Sequence, residues 1–310
     1  MAFLRAFGAY LPTRTLTNRE IAERLGCEEE WIRSASGIST RRIAEPSETV
    51  ADLAAWAAED CLARATLDRS GIGLVLVASG SSERRFPGPA ASVAARLGLA
   101  GVPAIDLPIA SAGAVFGLAL AHQLAPVYGE VLLIAAERMS DEVWREPVDR
   151  NTAILFGDGA GACAISARGG LAETKAAVLH SDGNFAEDLR LEFGQPLYMN
   201  GRAVIMQAAR KLPRVIGEAL EAGGVAVAHV DAFLLHQANQ NLIVKIAQTL
   251  KAPSEKFFSN IERYGNTSSA SMLIAAAEWS QQGGFRQGQS VVFAGFGAGL
   301  HWGAVLAVGT

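Results

Sequence analysis

The amino-acid sequence predicts an α/β protein made of two similar halves. Six short segments are almost continuously apolar, which is typical of strands that are covered on both faces. Segments with helical periodicity lie between these strands, and such alternation indicates helices packed in layers around a sheet. The order of strands and helices in the first half of the 310-residue chain also returns in the second half.

The predicted elements follow one another in a regular order. The strands are "IGLVLVAS" (72–79), "VPAIDLP" (102–108), "EVLLIAAE" (130–137), "GACAISA" (161–167), "VDAFLLH" (230–236) and "SVVFAGF" (290–296). The helices are 48–65, 201–223, 240–250 and 269–284. Because the strands are short and the helices longer, each helix has room to cover the face of a sheet.

One further run, Leu107 to Gly129, contains no Asp, Glu, Lys or Arg and is long enough to cross a bilayer, which takes about 20 residues. Pro108 and Pro126 bound the part of this run that can be helical. We therefore predict a buried helix of about four turns here, and no association with a membrane.

The second half of the chain repeats the first by pattern. Strand 72–79 and the helix in "PAASVAARLGL" correspond to strand 230–236 and helix 240–250. The segment "AIDLPIASAGAVFGLALA" corresponds to "FFSNIERYGNTSSASMLIAAAEW", each with a strand, a turn of small polar residues and a helix. We expect an N-terminal half, residues 1–168, and a C-terminal half, residues 169–310, packed as one body because no long linker separates them.

Composition and charge exclude several classes of protein. Half of the residues are hydrophobic and the net charge is −4, which argues against a disordered chain and against a general nucleic-acid-binding protein. Cys27, Cys61 and Cys163 form neither a disulfide framework nor a Cys-x-x-Cys pattern, and the histidines show no metal-ligand spacing. The N-terminus has no signal-peptide pattern. We expect a cytoplasmic protein that binds no metal.

Polar side chains stand in three turns at the predicted carboxyl ends of strands, where open α/β sheets bind ligands. They are Ser111, His236 and Asn266, and the glycine loop 295–303 forms a fourth such turn. Each has a structural explanation: Ser111 as a helix N-cap, His236 as a hydrogen-bonded core residue, and Asn266 as a turn residue with unusual backbone angles. Their corresponding places in a duplicated fold favour a shared site.

Three well-known site patterns do not apply. "GDGAGA" (157–162) matches the dinucleotide-binding fingerprint, but the next residues continue as a strand rather than a helix. The loop 295–303 is not followed by the Lys-Ser/Thr of a phosphate-binding loop. Ser111 lies between Ile109 and Gly113 rather than in the G-x-S-x-G elbow of an α/β hydrolase.

Four segments resemble β-ketoacyl-acyl carrier protein synthase III: "LFGDGAGA", "HQAN", "YGNTSSAS" and "GFGAGLHWGAVL". "EEEWIRSASGI" and "RFPGPAA" extend the resemblance to nearly the whole chain. It implies the thiolase fold, in which two α/β halves form five layers in the order α-β-α-β-α, and it implies a homodimer. It also implies an acyltransferase of fatty acid or polyketide-type biosynthesis that uses a coenzyme A thioester as substrate and needs no permanently bound cofactor.

The resemblance assigns catalytic roles to the three turns. The family uses a cysteine, a histidine and an asparagine; His236 and Asn266 match the last two, and Ser111 stands where the family typically has the cysteine. An acyl group moves from coenzyme A to the nucleophile and then to malonyl carrier protein or another acceptor. Malonyl carrier protein loses CO₂, the resulting carbanion attacks the acyl-enzyme, and His236 and Asn266 donate hydrogen bonds to the enolate. The backbone N–H groups of Ser111 and Ala298 are implied to form the oxyanion hole.

Other positions match binding residues of the family. Trp31 and Arg150 are implied to hold the adenine of coenzyme A between them, and Phe86 to reach the acyl pocket of the partner subunit. The implied carrier-protein contact region comprises Gln237, Ala238, Asn239, Gln240 and Asn241. The family has basic residues where this chain has Ala35, Asn241, Gln248 and Thr249. Two explanations stay open for the remaining basic residues, which either replace these charges or are ordinary solvated positions: Lys245, Lys251, Arg210, Lys211 and Arg214. The loss favours a specialised relative over the enzyme that initiates fatty acid synthesis.

Serine at position 111 leaves three explanations open. A helix N-terminus converts a thiol to a thiolate readily, whereas an alkoxide needs a base, for which His236 is the evident candidate. The chain is therefore a native serine enzyme with altered acyl chemistry, a variant impaired by a Cys→Ser replacement, or a non-catalytic partner subunit that binds an acyl chain.

Overall fold

The computed structural model describes the whole chain, Met1 to Thr310, as 13 strands and 11 helices. The strands are β1 (Phe3–Tyr10), β2 (Arg14–Thr17), β3 (Thr40–Ile43), β4 (Ile72–Ala78), β5 (Ala104–Leu107), β6 (Glu130–Arg138), β7 (Asp158–Ser166), β8 (Ala172–Ser181), β9 (Leu189–Arg190), β10 (Tyr198–Met199), β11 (Ala232–Leu235), β12 (Ser290–Gly297) and β13 (His301–Gly309). The helices are α1 (Asn18–Leu25), α2 (Glu29–Ser36), α3 (Val50–Ala65), α4 (Pro89–Arg96), α5 (Gly113–Tyr128), α6 (Ser140–Val143), α7 (Arg150–Ala153), α8 (Gly201–Ala222), α9 (Gln240–Leu250), α10 (Ile261–Tyr264) and α11 (Ser271–Gln281).

Nine strands form one mixed sheet in the order β11-β12-β13-β8-β1-β7-β6-β4-β5. The sheet has two parts, β1-β7-β6-β4-β5 and β11-β12-β13-β8, which meet at β1 and β8. Each part contains a parallel pair, β4 with β6 and β11 with β12. In each part an antiparallel strand follows on the inner side of that pair. Strand pairing connects the two parts at a single place, where Phe3 and Leu4 of β1 pair with Glu173 and Ala172 of β8. The expected boundary at 168/169 lies in the connection between β7 and β8, and the division into halves stays a prediction.

The helices are arranged in layers around the two parts of the sheet. Helices α5 and α11 lie between the parts and contact strands of both. Helices α3 and α4 cover the outer face of the first part, and α8 and α9 cover the outer face of the second. The largest group of buried apolar residues surrounds α5 and α11, so the centre of the molecule lies between the two parts.

Helix α5 shows how the sequence permits close packing at this centre. A Cβ atom at Gly117 would lie 2.3 Å from Cδ1 of Leu133, so glycine lets the helix lie directly against β6. The prediction that Pro126 ends the helix is wrong, because α5 continues through Pro126 to Tyr128. The proline stands in the last turn, where it removes a single hydrogen bond and the helix has little length left to lose. None of the 11 helices is both long and apolar enough to span a bilayer.

The strand expected at "FFSN", before Asn266, is also wrong. One isolated parallel bridge joins Phe257 to Phe233 of β11, and the short helix α10 follows. Asn266 therefore follows a helical turn rather than a strand, although it occupies the place in the repeat that the sequence assigns to it.

Candidate active site

Ser111 lies in the turn between β5 and α5 with a strained backbone. Its φ angle is 61°, in the left-handed region, which costs a residue with a Cβ roughly 1–2 kcal/mol. Ala112 is the N-cap of α5, and no side chain caps this helix end. The N-cap explanation for Ser111 is therefore excluded, and strain of this kind tends to occur at functional positions.

The glycine loop after β12 approaches this turn closely. A Cβ atom at Gly297 would lie 2.1 Å from the carbonyl oxygen of Ala110 and 2.9 Å from Cβ of Ser111. Only glycine allows the end of β12 to contact the Ser111 turn at this distance. The loop "GFGAGLHWG" thus holds the turn in place from the opposite half of the chain.

His236 follows β11 and is held by a serine from α11. Its Nδ1 lies 2.6 Å from Ser271 Oγ, which also accepts the Gln237 N–H at 3.0 Å and lies 3.0 Å from the Ser268 carbonyl oxygen. Ser271 has one hydroxyl proton, and the Ser268 carbonyl can only accept it. Nδ1 of His236 therefore carries a hydrogen, and Nε2 carries a lone pair.

The protonation state of His236 follows from its burial. Burial lowers its pKa from 6.5 to about 4, and the nearby Ser268 carbonyl opposes that shift. The imidazole is therefore neutral at pH 7. Nε2 makes no hydrogen bond within the protein, and the side chain lines a cavity, so this nitrogen is available as a base or acceptor.

Asn266 is fixed through its backbone and through one side-chain atom. Its N–H donates to the Leu155 carbonyl at 2.9 Å, and its carbonyl accepts the Gly157 N–H at 3.1 Å. Its Oδ1 accepts the Ser268 N–H at 2.9 Å, which leaves Nδ2 without a partner in the protein. The unusual backbone angles expected of Asn266 belong instead to Gly265, whose φ is 69°.

The structure brings the three predicted side chains to one cavity. Ser111, His236 and Asn266 line it together, and apolar residues of α8 and α9 form much of its remaining wall. Ser111 makes no hydrogen bond to either of the other two side chains, and its hydroxyl lies near Ser268 instead. Ser111 also lines a second cavity, together with Ser268, Ala298 and His301, and the two cavities share Phe156 and Leu189.

The two predicted oxyanion-hole donors differ in the resting structure. The Ala298 N–H makes no hydrogen bond within the protein and lies at the second cavity. The Ser111 N–H donates to Ser268 Oγ at 3.0 Å. One donor is thus available to a ligand, and the other is engaged by a serine hydroxyl.

Sequence reasoning missed a buried carboxylate that supports this region. Glu137, at the end of β6, is fully buried and accepts hydrogen bonds through both oxygens. Oε2 accepts the hydroxyls of Ser79 and Ser81, the latter at 2.6 Å, and the Gly80 N–H at 3.0 Å. Oε1 accepts the N–H and hydroxyl of Ser269, at 3.2 and 2.6 Å. Glu137 therefore ties the turn that carries Ser268 to the end of β6.

Trp31 and Arg150 contact each other at the outer end of the site. The guanidinium carbon of Arg150 lies 4.3 Å from the centre of the Trp31 ring. Trp31 packs in the same apolar group as Leu155, a residue of the cavity wall. The predicted pair is therefore formed, and the two side chains must separate before a planar ring can enter between them.

The predicted carrier-protein contact region is only partly at the surface. Gln237 is buried, and its amide bonds to the carbonyls of Leu235 and Phe258, so its side chain cannot contact a partner. Asn239 donates to the Ala35 carbonyl at 2.9 Å, and Asn241 donates to α2 in the same way. These asparagines join α9 to α2. Ala238 and Gln240 are half-buried, which leaves Asn241 as the exposed residue of the five.

Phe86 is the most exposed large apolar side chain of the chain, at 86%. It lies at a surface hollow that shares Gly80, Pro108 and Leu191 with the second cavity beside Ser111. In its own subunit Phe86 does not line either cavity at Ser111. The structure also contains no group of three or more His, Cys, Asp or Glu side chains with the arrangement of a metal site.

Comparisons with known proteins agree with this fold. The family model for 3-oxoacyl-[acyl-carrier-protein] synthase III matches residues 105–183, and the model for its C-terminal region matches residues 220–308. The β-ketoacyl-[acyl-carrier-protein] synthase III of Nitratidesulfovibrio vulgaris is 37% identical over 326 residues, covering 98% of each chain.

Solved structures give the same result. The crystal structure of 3-oxoacyl-[acyl-carrier-protein] synthase III from Aquifex aeolicus matches with a TM-score of 0.94 at 35% identity, over 99% of this chain and 100% of that one. The priming β-ketosynthase of the R1128 polyketide biosynthetic pathway matches with a TM-score of 0.92 at 30% identity, over 100% of this chain and 96% of that one.

The layered fold, with the Ser111 turn between two similar parts of one sheet, is that of the thiolase superfamily. Within it, the chain belongs to the β-ketoacyl-[acyl-carrier-protein] synthase III family of acyl-transferring condensing enzymes. The predicted fold class, family and class of enzyme are confirmed. The roles of individual residues stay predictions.

Proposed function

We propose that this chain transfers an acyl group from an acyl-coenzyme A to the Ser111 hydroxyl and then condenses it with a malonyl thioester or another acceptor. The observation that carries the proposal is the meeting of Ser111, His236 and Asn266 at one cavity. His236 Nε2 and Asn266 Nδ2 are left without partners there. Both atoms can therefore form hydrogen bonds with a ligand that enters the cavity.

In the first step Ser111 Oγ attacks the thioester carbonyl while His236 Nε2 takes its proton. The new C–O bond creates an oxyanion, for which the Ala298 N–H is ready and the Ser111 N–H becomes available when Ser268 releases it. The C–S bond then breaks, and the coenzyme A sulfur takes the proton from His236. The products are acyl-Ser111 and free coenzyme A.

In the second step the malonyl thioester loses CO₂, and the enolate carbon attacks the acyl ester on Ser111. A C–C bond forms, the ester C–O bond breaks, and Ser111 Oγ takes a proton from solvent. Asn266 Nδ2 is the donor already in place for the enolate oxygen. His236 can donate from Nε2 only after that nitrogen has gained a proton, because its resting hydrogen is on Nδ1.

The coenzyme A donor enters, in this proposal, past Trp31 and Arg150, with its adenine between the indole ring and the guanidinium. Contact of the two side chains at 4.3 Å in the free protein supports a pair that can close on a planar ring. For the acceptor, the absence of positive charge at Asn241, Gln248 and Thr249 favours a partner other than a strongly acidic carrier surface. A specialised, polyketide-type pathway agrees with that preference.

Intact-mass spectrometry tests the proposal. The protein is incubated with acetyl-, butyryl- and octanoyl-coenzyme A, and the modified peptide is identified. We expect an acyl mass on the peptide that contains Ser111, and none in Ser111→Ala. Ser92→Ala, at an exposed position of α4, is the matched control and keeps the adduct.

Two further variants test the nucleophile and the coenzyme A site separately. If serine is an impaired substitute, Ser111→Cys raises the acylation rate by at least about tenfold, because a thiolate forms more easily at a helix end. Combined Trp31→Ala and Arg150→Ala should raise the acyl-coenzyme A concentration needed for half-maximal labelling. If neither the serine protein nor Ser111→Cys is acylated, and malonyl thioester is not decarboxylated, the chain is a non-catalytic acyl-binding subunit.

A further inference from the structure

Ser268 is the only residue whose side chain lies within hydrogen-bond distance of the Ser111 hydroxyl. The two Oγ atoms are 3.3 Å apart, and Ser268 Oγ also lies 3.0 Å from the Ser111 nitrogen. Ser268 is 1% exposed and lines the second cavity with Ser111. Neither the sequence patterns nor the proposed roles of His236 and Asn266 account for this contact.

The hydrogen bond between the two hydroxyls can run in either direction, because each oxygen can donate or accept. Ser268 Oγ already accepts the Ser111 N–H, and donation to Ser111 Oγ gives its own proton a partner within the protein. In that arrangement the Ser111 proton remains free for removal by a base in the cavity.

The position of Ser268 is fixed on several sides. Its φ is 46°, a left-handed conformation that persists only where the surroundings impose it. Its N–H donates to Asn266 Oδ1 at 2.9 Å, and its carbonyl accepts the Ser271 hydroxyl at 3.0 Å. The next residue, Ser269, is held by Glu137. Ser268 thus links the predicted catalytic asparagine, the support of the histidine and the nucleophile.

We propose that the Ser268 hydroxyl is a catalytic group of the acylation step: it keeps its proton and donates a hydrogen bond to Ser111 Oγ as negative charge develops there. This inference rests on the proposed function. A hydrogen bond to an ionised oxygen is about twice as strong as one between neutral groups, so the contact strengthens during proton removal. A serine nucleophile needs such help more than a cysteine, because an alkoxide is far more basic than a thiolate.

The first test uses a thiol as a reporter and needs no substrate. In Ser111→Cys, the rate of alkylation by iodoacetamide is measured against pH, and mass spectrometry follows the peptide that contains position 111. Adding Ser268→Ala removes the donor to the thiolate. We expect the midpoint of the alkylation profile to rise by about one pH unit, a tenfold change in the ionisation equilibrium.

Two companion variants separate the hydroxyl from the fold of the turn. Ser268→Gly also removes the hydroxyl but suits the left-handed backbone, so it should raise the midpoint by the same amount as Ser268→Ala. Ser271→Ala makes the same change in size three residues on, where the hydroxyl supports His236, and should raise the midpoint less. A midpoint that is unchanged or lowered in both Ser268 variants overturns the inference.

The second test measures acylation of the unsubstituted Ser111. Ser268→Ala should slow single-turnover acylation by acyl-coenzyme A by at least about tenfold, which is the effect of losing a hydrogen bond to a charged group. Faster acylation overturns the inference, since Ser268 would then only withhold the Ser111 N–H from the oxyanion. If the unsubstituted protein is never acylated, the proposed function fails, and the alkylation profile still decides the role of Ser268.

Discussion

Two buried side chains near the site have pKa values displaced in opposite directions. Burial lowers the pKa of His236 from 6.5 to about 4, and burial raises the pKa of Asp158 from 3.8 to about 6. Between pH 6.5 and 4 the unfolded chain gains a proton at His236 that the folded chain does not, so acidification destabilises the fold. At Asp158 the folded chain binds the proton first, which stabilises the fold as the pH falls from 6 to 3.8. Because these two effects oppose each other over nearly the same pH range, the pH dependence of the free energy of unfolding does not isolate the contribution of His236.

The acylation rate reports on His236 directly. If neutral His236 is the base, single-turnover acylation of Ser111 should keep its rate as the pH falls from 7 to about 5, and lose it near pH 4. Rapid-quench labelling at each pH measures this, with circular dichroism as the control for folding. A loss of rate centred near pH 6.5 would show that an exposed imidazole, rather than the buried one, is the base.

The side chains that the sequence could predict are those that stand in recognisable turns. Ser111 and His236 each follow an apolar strand, Asn266 follows the short helix α10, and family-like segments surround all three. Ser268 is one of several serines in "NTSSAS", and no local signal separates it from its neighbours. Its hydrogen bond to Ser111 spans 157 residues of sequence, so only the tertiary contact of α5 with the turn 268–270 creates it.

At the scale of elements, a single carboxylate connects β6 to the turns on both sides of the site. Glu137 accepts five hydrogen bonds from Ser79, Gly80, Ser81 and Ser269 and has no cation as a partner. An ionised carboxylate only accepts hydrogen bonds, so it can satisfy all five donors. A side chain with a donor of its own at this position would leave some of them without an acceptor. Sequence analysis could not predict this role of Glu137, because a charged residue at the end of a strand usually faces solvent.

Glu137→Gln should destabilise the protein and disturb the site together. The amide places an NH₂ group against hydrogen-bond donors, and buried donors left without acceptors cost about 1–3 kcal/mol. We expect the free energy of unfolding in urea to fall by that amount, and acylation of Ser111 to slow as the Ser268 turn shifts. Glu23→Gln, in an exposed ion pair on α1, is the control and should change stability by less than about 0.5 kcal/mol. Equal stability of the two variants would contradict this role.

The predicted bounds of helices with a clear apolar periodicity agree closely with the structure, whereas strands without such a pattern were not predicted. The predicted helix 240–250 coincides with α9, and 201–223 extends one residue past α8. Sequence analysis did not predict β1, β8 and β13, which pair antiparallel where the two parts of the sheet meet and in which buried residues alternate irregularly with half-buried or exposed ones. Their identity as strands depends on the partner strands that tertiary structure supplies.

At the scale of the whole molecule, the site exists only because the two parts of the sheet pack together. Ser111 comes from the first part, whereas His236, Asn266 and the glycine loop come from the second. Helices α5 and α11 both contribute to the central apolar cluster, and the turn 268–270 before α11 contacts α5. The duplication in the sequence predicted this meeting, but not the distances, which depend on small residues such as Gly297.

The sheet ends at β5, and this edge supports the predicted homodimer. Strand β5 pairs with β4 on one side only, its residue Ile105 is 44% exposed, and the neighbouring Phe86 is 86% exposed. An open edge beside exposed apolar side chains favours pairing with a second copy across a two-fold axis. We expect a dimer by sedimentation velocity at micromolar concentration, and a shift toward monomer in Ile105→Glu because a charge would be buried at the interface.

Phe86 allows a sharper test of the same assembly. If it reaches the acyl pocket of the partner, Phe86→Ala should keep the dimer but increase labelling by octanoyl- relative to butyryl-coenzyme A, because a truncated ring enlarges the pocket. Met206→Glu, at an exposed apolar position on α8 far along the chain from β5, should leave the sedimentation coefficient unchanged. A monomeric unsubstituted protein, or a Phe86→Ala variant with the same acyl-chain preference, would place the acyl pocket entirely within one subunit.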